Sequence, residues 1–277
     1  MRVHNFWVSM KQMFINELNR EKSRMLRFDV LTLFPDMFVG PFHESIIDRA
    51  QTKKLIEIEL HDLRDYTHDS HRTVDDAPFG GGPGMVLKLE PLYEAVAAIS
   101  SLNSDKTKVI ALTPSGKRLN QLMVRELARE THLLLVCGRY EGFDERFLDR
   151  VVDLEISVGD FVGSGGELPA MMLVDTISRQ VDGVLGSPDS LKEESFNESG
   201  LLEYPQYTRP AIFNDWPVPA VLLSGDHERI SIWRHYKSLQ RTLERRPDLV
   251  PDLVKSKEDL DLLIGRLPLK DSDGSVQ

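Results

Sequence analysis

Residues 133–169, LLLVCGRYEGFDERFLDRVVDLEISVGDFVGSGGELP, limit what this chain can fold into more than any other stretch. An apolar, strand-like segment runs into a Gly-Arg-Tyr-Glu-Gly turn. A short amphipathic helix follows, and a second strand enters another glycine-rich turn. Glycine has no Cβ and tolerates positive φ, so backbone groups in such turns approach a ligand closely. Two strand ends that each deliver a glycine turn predict a small-molecule pocket.

The flanking text fits the same scheme. LRFDVLTLF, from residue 26, reads as a buried strand stopped by Pro35, and residues 36–49 carry helical spacing through Met37, Phe38, Ile46 and Ile47. Residues 55–60 (LIEIEL), 108–113 (KVIALT) and 132–137 (HLLLVC) read as further strands, with helical patterns at 90–100 and 119–130. Strands alternating with helices predict an α/β fold with a mostly parallel sheet covered on both faces. Ligands of such sheets bind beyond the carboxyl ends of the strands. Three turns fall at such ends: 113–116 (TPSG), 138–142 (GRYEG) and 159–166 (GDFVGSGG). Each alone is explained as a tight connection; together, after consecutive strands, they point to one site.

Further on, GELPAMMLVDTISRQ reads as a buried helix with Pro169 in its first turn and Arg179 near its end. Residues 181–225 lose periodicity and are rich in Gly, Pro, Ser and Asp. They are too long for an ordinary loop and read as a linker or a lid. Tyr204, Tyr207 and Arg209 within them argue against an inert linker. Residues 227–250 form an amphipathic helix, with an apolar face of Ile232, Tyr236, Leu239 and Leu243 and a basic stripe of Arg234, Lys237, Arg241 and Arg245. That stripe suits RNA phosphates and, about as well, a solvated helix face. A short helix at 257–267 and a frayed tail from residue 270 complete the chain.

Composition removes several classes. A chain of 277 residues holds one large core or two modest domains. A formal net charge of -10 excludes a surface coated for nucleic acid, so any phosphate contact has to be local. No apolar run reaches the length of a membrane span. The single cysteine, Cys137, sits in a strand with no neighbouring His; it reads as a small hydrophobe, rules out an internal disulfide and suits a reducing cytoplasm. Residues 1–24 precede a second methionine, Met25, and lack the apolar centre of a signal peptide, while Glu17 and Glu21 speak against a transit peptide. They read as a loose extension or as a start assigned upstream of Met25.

HDSHRTVDDAPFGGGPGM, at residues 68–85, is the most unusual text. His68, His71, Asp75 and Asp76 lack the helical frame of an HExxH site, so a non-metal reading is favoured. GGGPG lacks the Lys-Ser/Thr ending of a phosphate loop, and no GxGxxG follows the first strand, which disfavours ordinary nucleotide folds.

FDVLTLFPDMF, THDSHRTVDDAPFGGGPGM, LVCGRYEGFDER, SVGDFVGSGGELPAM, GLLEYPQYTRP and LLSGDHERISIWR, in this order, resemble the bacterial tRNA (guanine-N1)-methyltransferase family, TrmD. The resemblance covers residues 25–247. It implies an S-adenosylmethionine donor, methylation of N1 of the guanine at tRNA position 37, an obligate homodimer with its active site at the subunit interface, and dependence on Mg²⁺ with no ligands assigned. It also implies a SPOUT fold whose sheet is tied in a deep trefoil knot, which ordinary topology rules argue against. The organisation that follows is an extension at 1–24, a knotted donor-binding domain at 25–184, a flexible lid at 185–225 and a helical tRNA-binding domain at 226–277. A catalytically weak RNA-binding or ribosome-associated protein that keeps the fold is the alternative.

Carried over residue by residue, the resemblance assigns the donor to Gly138, Tyr140 and Glu141 of the first turn. It adds Val158, Gly159, Asp160, Phe161, Val162 and Gly163 of the second, with Gly165, Gly166 and Pro169 shaping the same wall. Arg179 matches the catalytic arginine and suits stabilisation of charge at guanine O6. The general base of the family is the Asp of an Asp-Ser-Phe triplet; here the triplet is Glu194-Ser195-Phe196, with Glu193 as the fallback base. Arg209, His227, Arg234, Lys237 and Arg241 are the expected RNA contacts. Two positions depart from the family pattern: Gly163 stands where a bulky residue is usual, which loosens the donor pocket, and Asp226 stands where an Asn is usual, placing a charge that repels phosphate.

Overall fold

A computed structural model describes residues 25–102, 106–187 and 190–249. The expectations for residues 1–24, for a helix at 257–267 and for the tail lie outside them. The chain divides into two compact units, Met1–Pro188 and Asp189–Gln277.

The first unit is built on five parallel strands: β1 (Leu26–Thr32), β2 (Ile56–Asp62), β5 (Lys108–Arg118), β6 (His132–Cys137) and β7 (Leu154–Ser157), in the order β2-β1-β6-β5-β7. A two-stranded antiparallel ribbon, β3 (Asp75–Asp76) with β4 (Val86–Leu87), stands apart from this sheet. The helices are α1 (Ser45–Thr52), α2 (Leu89–Ser101), α3 (Gln121–Leu127), α4 (Glu145–Val151) and α5 (Glu167–Ser178). The central strand β6 is buried along its whole length, and its side chains alternate between two cores, as the two-residue strand period requires. Leu133, Leu135 and Cys137 join Phe28, Val30, Leu173, Val174 and Ile177 on one face; Leu134 and Val136 join Leu31, Leu92, Ile99 and Phe147 on the other. Fully burying a side chain of the size of Phe28 or Leu133 contributes about 1.5–3 kcal/mol, so the layered α/β arrangement is secured on both faces.

Three elements differ from their sequence signals. The helical spacing of 36–49 is broken into a 3-10 turn at Pro35–Phe38, a single turn at Val39–Phe42 and then α1. Gly40 and Pro41 interrupt it, since proline supplies no amide donor to continue the helical ladder. The Thr113–Gly116 turn is not a connection but an irregularity within β5, whose pairing with β7 shifts register between Leu112 and Lys117. Gly116 permits it, because a Cβ there would stand 2.5 Å from the Ile156 amide nitrogen. The third difference is a charge inside an apolar-looking strand. Asp29 is fully buried and accepts from His132 Nε2 at 2.5 Å, His61 Nε2 at 2.6 Å and Arg27 Nε at 2.7 Å. Burial pushes its carboxyl up, but the hydrogen bonds from His132, His61 and Arg27 prevail and hold it far below the usual carboxylate range.

The second unit contains a hairpin of β8 (Ile212–Phe213) and β9 (Trp216–Pro217), single turns at Ser190–Glu193 and Ala220–Leu223, and the long helix α6 (His227–Arg245). Asp226 caps α6 by accepting from the Arg229 amide at 3.1 Å. The helix ends at Arg245, two residues before Pro247, as the bias of pre-proline residues away from α geometry predicts. Its buried face is the expected one only in part: Leu239 is inside and Tyr236 packs beside it, Trp233, Ser238 and Thr242 are buried as well, and Ile232 and Leu243 are 42% and 47% exposed. The cause is the segment at Leu201 and Leu202, which packs on Leu239 and donates the Leu202 amide to Thr242 Oγ1 at 2.9 Å.

Candidate functional site

The carboxyl ends of β6 and β7 and the irregularity within β5 lie at one edge of the sheet, and a cavity of about 380 Å³ opens there. Leu112, Thr113 and Pro114 lie at the irregularity within β5, residues 138–143 follow β6, residues 156–159 and 161–166 span the end of β7 and its turn, and Leu168, Pro169 and Met172 come from the first turns of α5. Its volume is within the range of small-molecule sites. Of the donor residues expected from sequence, Gly138, Tyr140, Glu141, Val158, Gly159, Phe161, Val162, Gly163, Gly165, Gly166 and Pro169 line it. Asp160 does not: its carboxylate is 83% exposed and meets Arg118 at 3.3 Å.

The two glycine turns touch through their backbones. Gly166 N–H donates to Gly138 O at 2.8 Å. A Cβ on Gly166 would fall 2.7 Å from Gly138 N, and one on Gly138 would fall 2.8 Å from Leu112 O. Side chains are excluded at both, so the cavity wall there is bare peptide.

A buried ion pair joins the same turns. Glu167, the first residue of α5, is 1% exposed and accepts from Arg139 Nε at 2.9 Å and from Thr32 Oγ1 at 2.9 Å. Arg139 also donates to Ser164 O at 3.0 Å and lies over the Phe34 ring, 4.5 Å from its centroid. The ends of β1 and β6, the turn after β7 and the start of α5 are thereby tied to one guanidinium, whose planar fork suits several acceptors at once. The sequence reading named Gly138, Tyr140 and Glu141 and passed over Arg139 between them. Its signal is an arginine inside an otherwise small turn, but its partner lies 28 positions away.

Tyr140 holds φ +59°, a left-handed backbone uncommon for a side chain of its size and characteristic of functional sites. Burial, and then the Asp75 carboxylate, push its phenol up, so it remains a neutral hydroxyl. The 68–85 motif reaches this wall as well. Glu141 N–H donates to Met85 O at 2.9 Å and Leu87 N–H to Gly142 O at 3.0 Å. Among the described residues, no three His, Cys, Asp or Glu side chains are grouped to hold a metal ion.

The two expected catalytic groups fall in different units, Arg179 in the first and Glu194 in the second. Arg179 is the C-cap residue of α5, twelve positions past Glu167. At 1.5 Å per residue it lies about 18 Å along the helix from the end that borders the cavity. It shares a helix face with Leu168, Met172 and Asp175, and Leu168 and Met172 are 62% and 47% exposed. Glu194 belongs to the second unit, in a turn where Ser195 Oγ accepts from the Glu203 amide at 2.9 Å. Glu193 is engaged by the Tyr204 hydroxyl and by Arg234. Of the basic residues, Arg241 donates to Glu203 O at 3.2 Å, Lys237 donates to Gln240 Oε1 at 2.9 Å, and Arg234 stacks on Tyr204 at 4.7 Å. Arg209 is exposed, and His227 is the first residue of α6.

Residues 26–252 match the family described as tRNA (guanine-1)-methyltransferase TrmD. The chain is 54% identical over 239 residues to a tRNA (guanine-N(1)-)-methyltransferase of Dictyoglomus turgidum, covering 86% of this chain and 96% of that protein. It is 51% identical over 249 residues to the protein of that name from Geotalea uraniireducens, covering 90% and 100%. To the one from Chloroflexus aggregans it is 53% identical over 242 residues, covering 86% and 94%.

Proposed function

The chain belongs to the TrmD family of tRNA (guanine-1)-methyltransferases, and from that premise we propose that it transfers a methyl group from S-adenosylmethionine to N1 of guanine at position 37 of tRNA. The observation that carries the donor assignment is the cavity at the ends of β6 and β7 and the irregularity of β5, with its wall of bare peptide at Gly138 and Gly166. Backbone groups there read the adenine edge, and Tyr140 contributes a neutral hydroxyl. The donor, when bound, supplies a methyl group on a sulfonium sulfur.

Guanine N1 carries a proton at neutral pH, so a carboxylate has to remove it as the new N–C bond forms. Glu194 takes that proton. A bound sulfonium donor would give up its methyl group and keep the bonding electron pair on sulfur, and the Arg179 guanidinium balances the negative charge that gathers at O6. Arg209, His227, Arg234, Lys237 and Arg241 hold the tRNA, and the 185–225 segment serves as the lid.

Arg179 at the far end of α5 supports a shared site. A two-fold dimer packed on the exposed Leu168 and Met172 with antiparallel α5 helices brings Arg179 of one protomer toward the cavity of its partner. A knotted SPOUT topology is part of the same reading. It is supported by the chain's return from the edge strand β7, past β5, to Gly138 at the end of β6. The protein works in the cytoplasm, which suits a lone Cys137 whose thiol burial pushes up.

The test is methyl transfer to a tRNA transcript carrying guanine at position 37. The wild-type chain methylates it and leaves an adenine-37 transcript untouched. Glu194→Gln lowers the single-turnover rate by about 10²–10⁴-fold, the usual worth of a general base. Near-normal turnover of that variant removes Glu194 from the mechanism.

A further inference from the structure

The second unit holds a cavity of about 530 Å³ that the chemistry above leaves unused. Tyr204, Gln206, Tyr207, Thr208, Arg209 and Arg234 supply its polar lining, and the remainder is apolar. No acidic side chain lines it, although the whole chain carries a net charge of -10. The helix beneath, His227–Arg245, has five Lys or Arg residues against two Glu. The lining thus favours a ligand that is anionic and presents a flat π surface.

Three side chains show which groups are available. Tyr207 is 48% exposed, with its ring tilted against Trp233 at 6.4 Å. Arg209 is exposed and has no hydrogen bond or ion pair among the described residues. Arg234 is held by Tyr204 and Glu193 through the end of its guanidinium, yet its buried Nε–H has no acceptor among the described residues. A buried donor without an acceptor is a standing cost that an incoming oxygen relieves. An aromatic ring, a free guanidinium and an orphan N–H around one cavity are the elements by which proteins hold a single-stranded base and its phosphate.

We propose that this cavity receives one unstacked nucleotide of the RNA substrate, with the base against Tyr207, the phosphate on Arg209, and a base or phosphate oxygen accepting from Arg234 Nε. The proposal rests on the reading that the substrate is tRNA. It adds a nucleotide subsite to what would otherwise be a set of backbone contacts. The volume admits a nucleotide, being within the range of small-molecule sites.

The experiment uses the full chain and an unmodified tRNA transcript, with affinity read by fluorescence anisotropy from 50 to 200 mM salt. Tyr207→Leu weakens binding about tenfold at unchanged salt slope, the loss of one stacking contact, and Tyr207→Phe restores it. Arg209→Met lowers the salt slope by about one phosphate contact. Calorimetry shows S-adenosylmethionine affinity unaltered in each variant. Transcript affinity within twofold of wild type for both Tyr207→Leu and Arg209→Met overturns the subsite. So does a shift from dimer to monomer on sedimentation, which assigns the cavity to a second copy of the chain. If the wild-type chain neither binds nor methylates the transcript, the tRNA reading itself has failed. A wild type that methylates, with variants that bind normally, removes only the subsite.

Discussion

Replacing Glu167 by Gln removes one buried charge from behind the cavity wall, between the lining residues Gly166 and Leu168, while keeping the side chain's shape. Glu167 is 1% exposed and its partner Arg139 17% exposed on the side chain, so neither is rescued by water. The amide retains an acceptor for Thr32 Oγ1 but turns an NH₂ toward Arg139, donor against donor. Breaking a buried pair by removing one partner costs about 3–5 kcal/mol. The conserved shape and surviving Thr32 bond place Glu167→Gln near the lower end, about 3 kcal/mol. Arg139→Met costs a similar amount alone. The double variant leaves no buried charge and is less destabilised than the sum of the two, with a coupling of at least about 1.5 kcal/mol, one charge-assisted hydrogen bond. Urea unfolding of the four proteins closes the cycle. Released from Glu167, Arg139 no longer fixes Ser164 O against the β6 turn, and the S-adenosylmethionine dissociation constant measured by calorimetry rises about tenfold, 1.4 kcal/mol. Additivity of the single variants within about 0.5 kcal/mol, or a donor affinity unchanged within twofold, refutes the idea that this pair braces the cavity.

Acid stability reports on Asp29. Its folded-state carboxyl is held low, so its contribution is complete above the unfolded value near ~3.9 and is lost as pH falls below it. Asp29→Asn is less stable at neutral pH by about 3–5 kcal/mol and loses less between pH 5 and pH 3 than wild type; parallel curves from chemical denaturation would falsify this. Gly163→Leu folds normally, because a Cβ there meets only Gly165 O at 3.9 Å. It tightens S-adenosylmethionine binding about tenfold by filling the wall, and a weaker affinity by calorimetry counts against an underfilled pocket. Leu168→Glu puts a charge on the exposed α5 stripe and converts a sedimenting dimer to a monomer without methyl transfer. A wild-type chain that is monomeric at micromolar concentration and still active sinks the shared site.

Much of the cavity wall was legible in the text, because glycine turns after strands are a local signal that needs no knowledge of partners. The turns at 138–142 and 159–166, predicted to form a pocket, both line it. What escaped was non-local. Arg139 gains its meaning from Glu167, and Asp29 from His61 on β2 and His132 on β6, pairings that periodicity within one segment does not carry. The expected apolar face of α6 is right at Tyr236 and Leu239 and fails at Ile232 and Leu243 for a related reason. Ile232 and Leu243 fit the helical spacing, but the segment at Leu201 packs on the side that carries Trp233 and Leu239. Asp226 was read for its charge toward phosphate, whereas its carboxylate caps α6 through the Arg229 amide.

Gly84, in the glycine-rich loop of residues 68–85, has φ +82°, and a Cβ there would overlap the side chain of Glu141 on the donor turn. Two sites 57 positions apart in the chain therefore share one volume of space. A side chain at position 84 would both displace Glu141 and hold a backbone that L residues rarely adopt, so shortening residue 141 relieves only the overlap and leaves the backbone strain.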